Sequence, residues 1–301
     1  MNMQNVAVVL VTYNRLNLLK EAIEALRSQT HFIFRIVVVD NGSTDGTSEW
    51  LGLQTDLYVI KQANSGGAGG FYTGVKFSAS LNVDWVWLMD DDTICNSNSL
   101  EKLVEKVSTL PNEKIGFVGS KCVWSDGNPH YMNIVDIKPY FNNTVPFTKY
   151  DNYNLLLTEA CSFVSVLINI AAIKKIGLPY KDFFIWGDDL EYTQRITKAG
   201  YLGFYCQDSI VVHKTPQNYR PNFYTESASN IWKYKYGLRN ELFMIKRDKG
   251  LLYYTIWLFV KILYTSFKIL VKRRDSKFVF IKAVFQSGFN SMFFNPKIER
   301  L

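Results

Sequence analysis

The chain has 301 residues, 48% of them apolar and 15% aromatic. That is enough for one large α/β domain with an appendage, or for two small domains. The formal net charge is +7, but Lys246–Lys282 holds ten Lys/Arg against two Asp/Glu, so the residues before it are close to neutral. This distribution excludes a uniformly basic nucleic-acid binder. It fits a near-neutral catalytic body with a basic, membrane-facing tail. The four cysteines, Cys95, Cys122, Cys161 and Cys206, form no CxxC and no zinc spacing, and read as reduced thiols of a cytoplasmic protein. The stretch Met1–Asn5 runs straight into a strand-like segment and carries no secretory-signal pattern.

In chain order, Val6–Val11 is a continuous β-branched run, the signature of a strand buried on both faces. A loop follows at Thr12-Tyr13-Asn14-Arg15, and helical spacing extends from Leu16 to Gln29. A second buried strand spans Arg35–Val39 and ends at Asp40. The turn Asn41–Gly46 leads into a short helix around Trp50, and Leu57–Ile60 is a third strand. The run Asn64–Gly70 reads as a glycine-rich loop entering a helix over Phe71–Leu81. A fourth strand, Trp85–Met89, ends at three aspartates. Strands alternating with helices predict an α/β fold with a mostly parallel central sheet flanked by helices. In such sheets ligands sit beyond the carboxyl ends of the strands, so Asp40, the glycine run and the aspartates are expected to line one crevice. From Ile115 the pattern is mixed. Residues 125–152 read as an irregular loop region.

Four constellations carry chemistry. Asp90-Asp91-Asp92 places three carboxylates at a strand end, where they repel unless a cation neutralises them. Oxygen ligands suit Mg2+ or Mn2+, against the blander reading of a solvated acidic turn. The glycines Gly66, Gly67, Gly69 and Gly70 would let backbone approach a phosphate at a helix start, or would simply make a flexible loop. Asp188-Asp189-Leu190-Glu191 opens a helix whose dipole favours ionised carboxylates. One of them can serve as a general base, or all can merely cap the helix, with Glu191 and Arg195 as i,i+4 partners. His213 follows a strand and offers an imidazole to a metal.

Taken together, VVLVTYNR, VVVDNGSTDGT, the Asp triplet, and the later DDLE with its following His resemble bacterial family 2 glycosyltransferases of the GT-A fold. The likeness covers roughly residues 6–215. NSGGAGGF, WLMDDD and WGDDLEY are most similar to the galactofuranosyltransferase branch, and rhamnosyltransferases share much of the pattern. The resemblance implies an inverting transfer from a nucleotide sugar, with UDP-galactofuranose favoured and dTDP-rhamnose as the alternative. It implies that Thr12, Tyr13 and Asp40 hold the base, with Asn14 and Arg15 beside them. Asn64 and the glycines would line the ribose and diphosphate, with Asp90 and Asp91 on the donor. Asp92 and His213 would bind Mn2+ or Mg2+. Asp189 would be the base, while Trp186, Asp188 and Glu191 would border a glycan or lipid-linked glycan acceptor. The branch often carries an Arg where this chain has Thr73, leaving Lys76 as a candidate phosphate contact. Arg239, in a Tyr…Arg-Asn stretch that also resembles the family, is another. Two other classes are weighed against this reading. A sugar-nucleotide pyrophosphorylase shows a different glycine-rich first loop, and an inactive carbohydrate-binding protein has no need of Asp90, Asp92, Asp189 and His213.

The expected division is a catalytic domain over residues 1–230 and a basic helical region over 231–301. Leu251–Val271 is apolar, but Lys261, Thr265, Lys268 and Lys272 fall on one helical face, and Lys282, Gln286 and Asn290 repeat the pattern. Such helices with Trp and Phe lie in a membrane interface, and Lys272-Arg273-Arg274 suits anionic lipid. The expectation is peripheral attachment to the inner face of the plasma membrane. A packed subdomain and a homo-oligomer interface are the alternatives.

Overall fold

The computed structural model describes residues 4–133, 135 and 145–301; part of the region expected to be irregular, residues 134 and 136–144, lies outside these. The order of regular elements is β1 (Val6–Thr12), α1 (Leu16–Arg27), β2 (Arg35–Asp40), α2 (Thr47–Gly52), β3 (Leu57–Lys61), α3 (Gly66–Ser78), β4 (Trp85–Asp90), β5 (Thr93–Cys95), α4 (Ser99–Thr109) and β6 (Ile115–Val123). Then come β7 (Leu155–Leu157), β8 (Ser165–Asn169), α5 (Ile170–Ile176), α6 (Asp188–Lys198), β9 (Leu202–His213), α7 (Ile231–Lys249), α8 (Leu251–Lys272) and α9 (Lys277–Phe293).

The described strands form one sheet in the order β3-β2-β1-β4-β8-β6-β9-β5, with β7 also on β9. The first four are parallel, as the alternating pattern predicts. Beyond them β8 runs antiparallel to both β4 and β6, β6 and β9 are parallel, and β5 and β7 run against β9. All of β1 is buried, and the period of two explains why its side chains are apolar throughout. Val6, Val8 and Leu10 enter one core with Leu19 and Ile23 of α1. Ala7, Val9 and Val11 enter the opposite core with Phe71 and Val75 of α3.

The register brings the polar strand ends to one edge. Thr12 lies opposite Asp40, and Val11 lies opposite Asp90. The sheet then folds back at Asp91-Asp92, so that β5 pairs with β9 and Thr93 faces His213. Residues 80 positions apart or more thereby meet at the carboxyl edge of the sheet.

The glycine run is a helix rather than a loop. Asn64 Oδ1 accepts the N–H of Gly66 (2.9 Å) and starts α3 there. A Cβ on Gly70 would stand 2.3 Å from Val11 Cγ1, and one on Gly74 would stand 2.2 Å from Val9 Cγ1. These glycines let α3 lie directly on the β-branched face of β1, a contact that stiff Val side chains could not yield to anything larger. Gly69 is likewise closed off, by Ser65, while Gly67 opens to free space.

By compactness the chain divides into two units, one made of residues 1–181, 189–219 and 298–301, the other of 182–188 and 220–297. The second unit therefore starts before residue 230 and takes in the short segment ahead of α6. Its core gathers Leu238, Leu242, Tyr254, Leu258, Ile269, Phe280 and Val284 from α7, α8 and α9.

Candidate active site and metal centre

Asp90, Asp92 and His213 offer ligand atoms that all lie within 4.8 Å of one another. Asp91 and Asp92 are turned by their neighbours. Thr12 Oγ1 donates to Asp91 Oδ2 (2.8 Å), and Arg15 Nη1 donates to Asp91 Oδ1 (3.0 Å) and to Asp92 Oδ2 (2.5 Å). The remaining oxygen, Asp92 Oδ1, is buried, and no other described residue donates a hydrogen bond to it. It lies 3.2 Å from His213 Nε2, inside ion-pair range. A buried carboxylate oxygen short of donors is costly. Beside a second carboxylate and an imidazole, it fits a divalent cation.

The electrostatics agree. Burial first, then the neighbouring Asp92 charge, pushes Asp90 up to about 7. Burial raises Asp91 to about 6 against the pull of Arg15. Asp92 is also buried, but His213 and Arg15 more than offset this and hold it at about 2. Asp90 is thus reluctant to ionise, and a cation between it, Asp92 and His213 would reverse that reluctance.

His213 is held by residues that the sequence reading passed over. Its Nδ1 hydrogen-bonds Asn133 Oδ1 (2.9 Å), and Asn133 Nδ2 donates to Ser162 Oγ (2.8 Å). With Nδ1–H given to Asn133, Nε2 is the ring nitrogen left toward the Asp90–Asp92 side. The ring of His130 lies against His213, tilted by 33°, with centroids 4.3 Å apart. His130 Nδ1 accepts the N–H of Met132 and Nε2 pairs with Thr215 Oγ1, so this imidazole is fixed as the neutral Nε2–H tautomer. Burial and the neighbouring His213 hold His130 down at about 4. Nothing in the local sequence marks Asn133 or His130, since their partners are some 80 residues away. Asn133→Leu is expected to weaken Mn2+ binding by about 10–100-fold while leaving the fold intact. Titration calorimetry with Mn2+ checks this, and unchanged affinity would remove Asn133 from the site.

Asp189 sits in the first turn of α6, half-buried. Its Oδ1 accepts the Leu190 N–H (2.7 Å), and the backbone N–H of Phe163 also faces the carboxylate. Burial nevertheless pushes it up to about 6. The segment Cys161–Phe163 therefore serves both groups: Ser162 steadies Asn133 under His213, and Phe163 faces Asp189.

The other expected site residues divide. Asp40 is fully buried, and its carboxylate accepts from Ser43 N and Ser48 Oγ. It holds its own turn rather than an open surface. Tyr13 is exposed, and Asn14 Oδ1 accepts the Thr44 N–H (2.7 Å). Trp186 packs edge-on against Tyr234 at 4.8 Å and lies against Gly237; Asp188 is buried.

Three other expected site residues have structural partners. Glu191 is completely buried and bound at both oxygens by Arg195 (3.1 and 3.0 Å), so it cannot border an acceptor. Lys76 is paired with Glu299 at 2.6 Å. Helix α3 starts at the carboxyl edge of the sheet and runs back across it, which carries Lys76 away from the aspartates. Arg239 donates to the carbonyls of Asp182 (2.8 Å) and Phe183 (3.2 Å) and lies over the Phe294 ring, a structural use of its guanidinium.

Comparison with known proteins matches residues 7–177 to the glycosyl transferase family 2 model. The chain is 24% identical to galactofuranosyltransferase GlfT1 of Mycolicibacterium smegmatis over 69% of its length and 70% of the relative's. It is 26% identical to GlfT1 of Mycobacterium tuberculosis H37Rv over 70% of both. Glycosyltransferase AglE of Haloferax volcanii is also 26% identical, over 69% of this chain and 66% of AglE. Among solved structures, GalNAc-T7 with UDP, GalNAc and Mn2+ superposes with a TM-score of 0.61 at 17% identity, covering 89% of this chain. The chain spans about half (51%) of that protein. The mannosyltransferase PcManGT of Pyrobaculum calidifontis, with GDP-Man and Mn2+, gives 0.56 at 15% identity over 97% of this chain and 88% of its own. These folds are of the GT-A type, and with the family model spanning more than half its length, the chain belongs to glycosyl transferase family 2.

Proposed function

We propose that the protein transfers a sugar, with inversion, from a nucleotide-sugar donor to a hydroxyl of a lipid-linked or cell-surface glycan. Galactofuranose from UDP-galactofuranose is the favoured donor, on the likeness to the two GlfT1 proteins. The observation that carries the reading is the shared Cys161–Phe163 segment. It supports a cluster fit for a cation on one side, and on the other a carboxylate whose affinity for protons suits a general base near neutrality.

In this reading Asp90, Asp92 and His213 hold Mn2+ or Mg2+, which when bound offsets charge on the departing nucleoside diphosphate. Arg15 binds the other oxygen of Asp92 and keeps that carboxylate oriented. Asp189 takes the proton from the acceptor hydroxyl, and the freed oxygen attacks the anomeric carbon on the face opposite the diphosphate. Configuration inverts. A panel of UDP- and dTDP-sugars assayed with Mn2+ tests the donor: UDP-galactofuranose is expected to be turned over fastest. A clear preference for dTDP-rhamnose would move the assignment to rhamnosyl transfer. No turnover of any donor would favour a non-catalytic binding protein.

A further inference from the structure

Helix α8 reverses the expectation drawn from its lysines. Of the predicted polar stripe of Lys261, Thr265, Lys268 and Lys272, only Lys272 is fully exposed. Thr265 is buried, Lys261 Nζ pairs with Glu241 of α7 at 2.5 Å, and Lys268 sits over the Tyr264 and Tyr224 rings. The buried stripe itself is narrow: Tyr254, Leu258, Thr265 and Ile269. The fully exposed positions from Leu251 to Val271 are uncharged, with Lys261 and Lys268 half-buried among them; they include Leu252 (79% exposed), Ile256, Phe259, Leu263 (66%) and Phe267. On α9, Phe278 (83%), Phe285, Phe289 and Phe293 are also bare.

Helix α8 is long and apolar enough to cross a membrane by composition, yet only a minor part of it is covered, so it is not the core helix of a soluble bundle. Its 22 residues extend about 33 Å. Both ends are basic: Lys249 precedes it, the exposed Lys272 is its last residue, and the exposed Arg274 follows. Arg273 is different, being buried and bound to the carbonyls of Phe223 and Glu226.

From this face we infer that α8 and α9 seat in the surface of an anionic lipid bilayer as a non-spanning pair. Charge complementarity selects the occupant. A long uncharged aromatic and aliphatic face bracketed by cations matches acyl chains bracketed by anionic headgroups. Charge on the packed helix limits the depth. Helix α7 carries Lys233, Lys235, Arg247 and Asp248 and pairs with α8 through Glu241, and these groups need water. This inference goes beyond the transfer reaction and stands or falls separately from it.

The test is flotation of the purified full chain with vesicles. Vesicles of phosphatidylcholine with phosphatidylglycerol are expected to carry the protein, and neutral phosphatidylcholine vesicles to carry much less. The combined variant Ile256→Glu, Leu263→Glu, Phe267→Glu alters exposed positions only. It is expected to lose binding at least about tenfold, with circular dichroism and donor turnover unchanged. Brominated lipids are expected to quench the wild type more than Trp257→Phe. Alkaline carbonate should release the protein, and resistance to it would overturn the non-spanning placement. A wild type that ignores both vesicles but forms a dimer that the triple variant abolishes would overturn the inference in favour of a second copy of the chain.

Discussion

Asp189→Asn is expected to lower turnover by about 10²–10⁴-fold, the range lost with a general base, which corresponds to about 3–5 kcal/mol of barrier. The donor KM should hardly change. The substitution is nearly isosteric, and an Asn Oδ1 can still accept the Leu190 N–H that Asp189 receives at 2.7 Å. What disappears is the oxygen able to take a proton. A second signature accompanies the first. Burial raises Asp189 to about 6; below that pH the group is protonated and inert as a base, and above it the group is ionised and active. Wild-type kcat should therefore climb through about pH 6 and level off above it. In Asp189→Asn the residual rate should lose that limb. Stopped assays of transfer across pH, with donor binding measured separately, decide the matter. A variant within about tenfold of wild type, or an unchanged acidic limb, would remove Asp189 from this role.

How much of this was legible in the sequence depends on how local the cause is. Val6–Val11 announces a doubly buried strand because its side chains serve both faces, and the cores on either side of β1 use them alternately. Asp90, Asp92, His213 and Asp189 stand out because carboxylates and an imidazole at element ends have few structural uses. The glycines misled, because helix propensity counts against them. Only the tertiary contact with Val9 and Val11 explains why a helix begins there, although Asn64, two residues before Gly66, was a usable start signal. Lys76 needed the direction of α3 across the sheet, and Glu191 needed its burial. Asn133 and His130 were invisible because their partners lie some 80 residues away, and the inward turn of Lys261 depends on Glu241 of another helix.

The other large effect is expected at the cation cluster. Asp92→Asn should abolish measurable Mn2+ binding and, with it, transfer. Its Oδ1 is the buried oxygen short of donors, and its negative charge is the one most firmly kept among the three aspartates. An amide leaves Asp90 and His213 alone, too few anionic ligands for a hard cation that prefers carboxylate oxygen. The competing outcome is collapse of the turn, since Asp92 also receives Arg15. Asp91 keeps both Thr12 and Arg15, however, so the turn should persist and thermal unfolding should move little. The wild type supplies an independent check through pH. Asp90 is raised to about 7, first by burial and then by the Asp92 charge. Below that pH it must surrender a proton before a cation can bind, and above it no such step is needed. Mn2+ affinity should then fall by up to about tenfold for each pH unit below 7, with roughly one proton released per cation bound. Calorimetry in buffers of different ionisation enthalpy measures both quantities. Binding that is independent of pH between about 5.5 and 7, or full affinity in Asp92→Asn, would take the cation away from Asp90, Asp92 and His213.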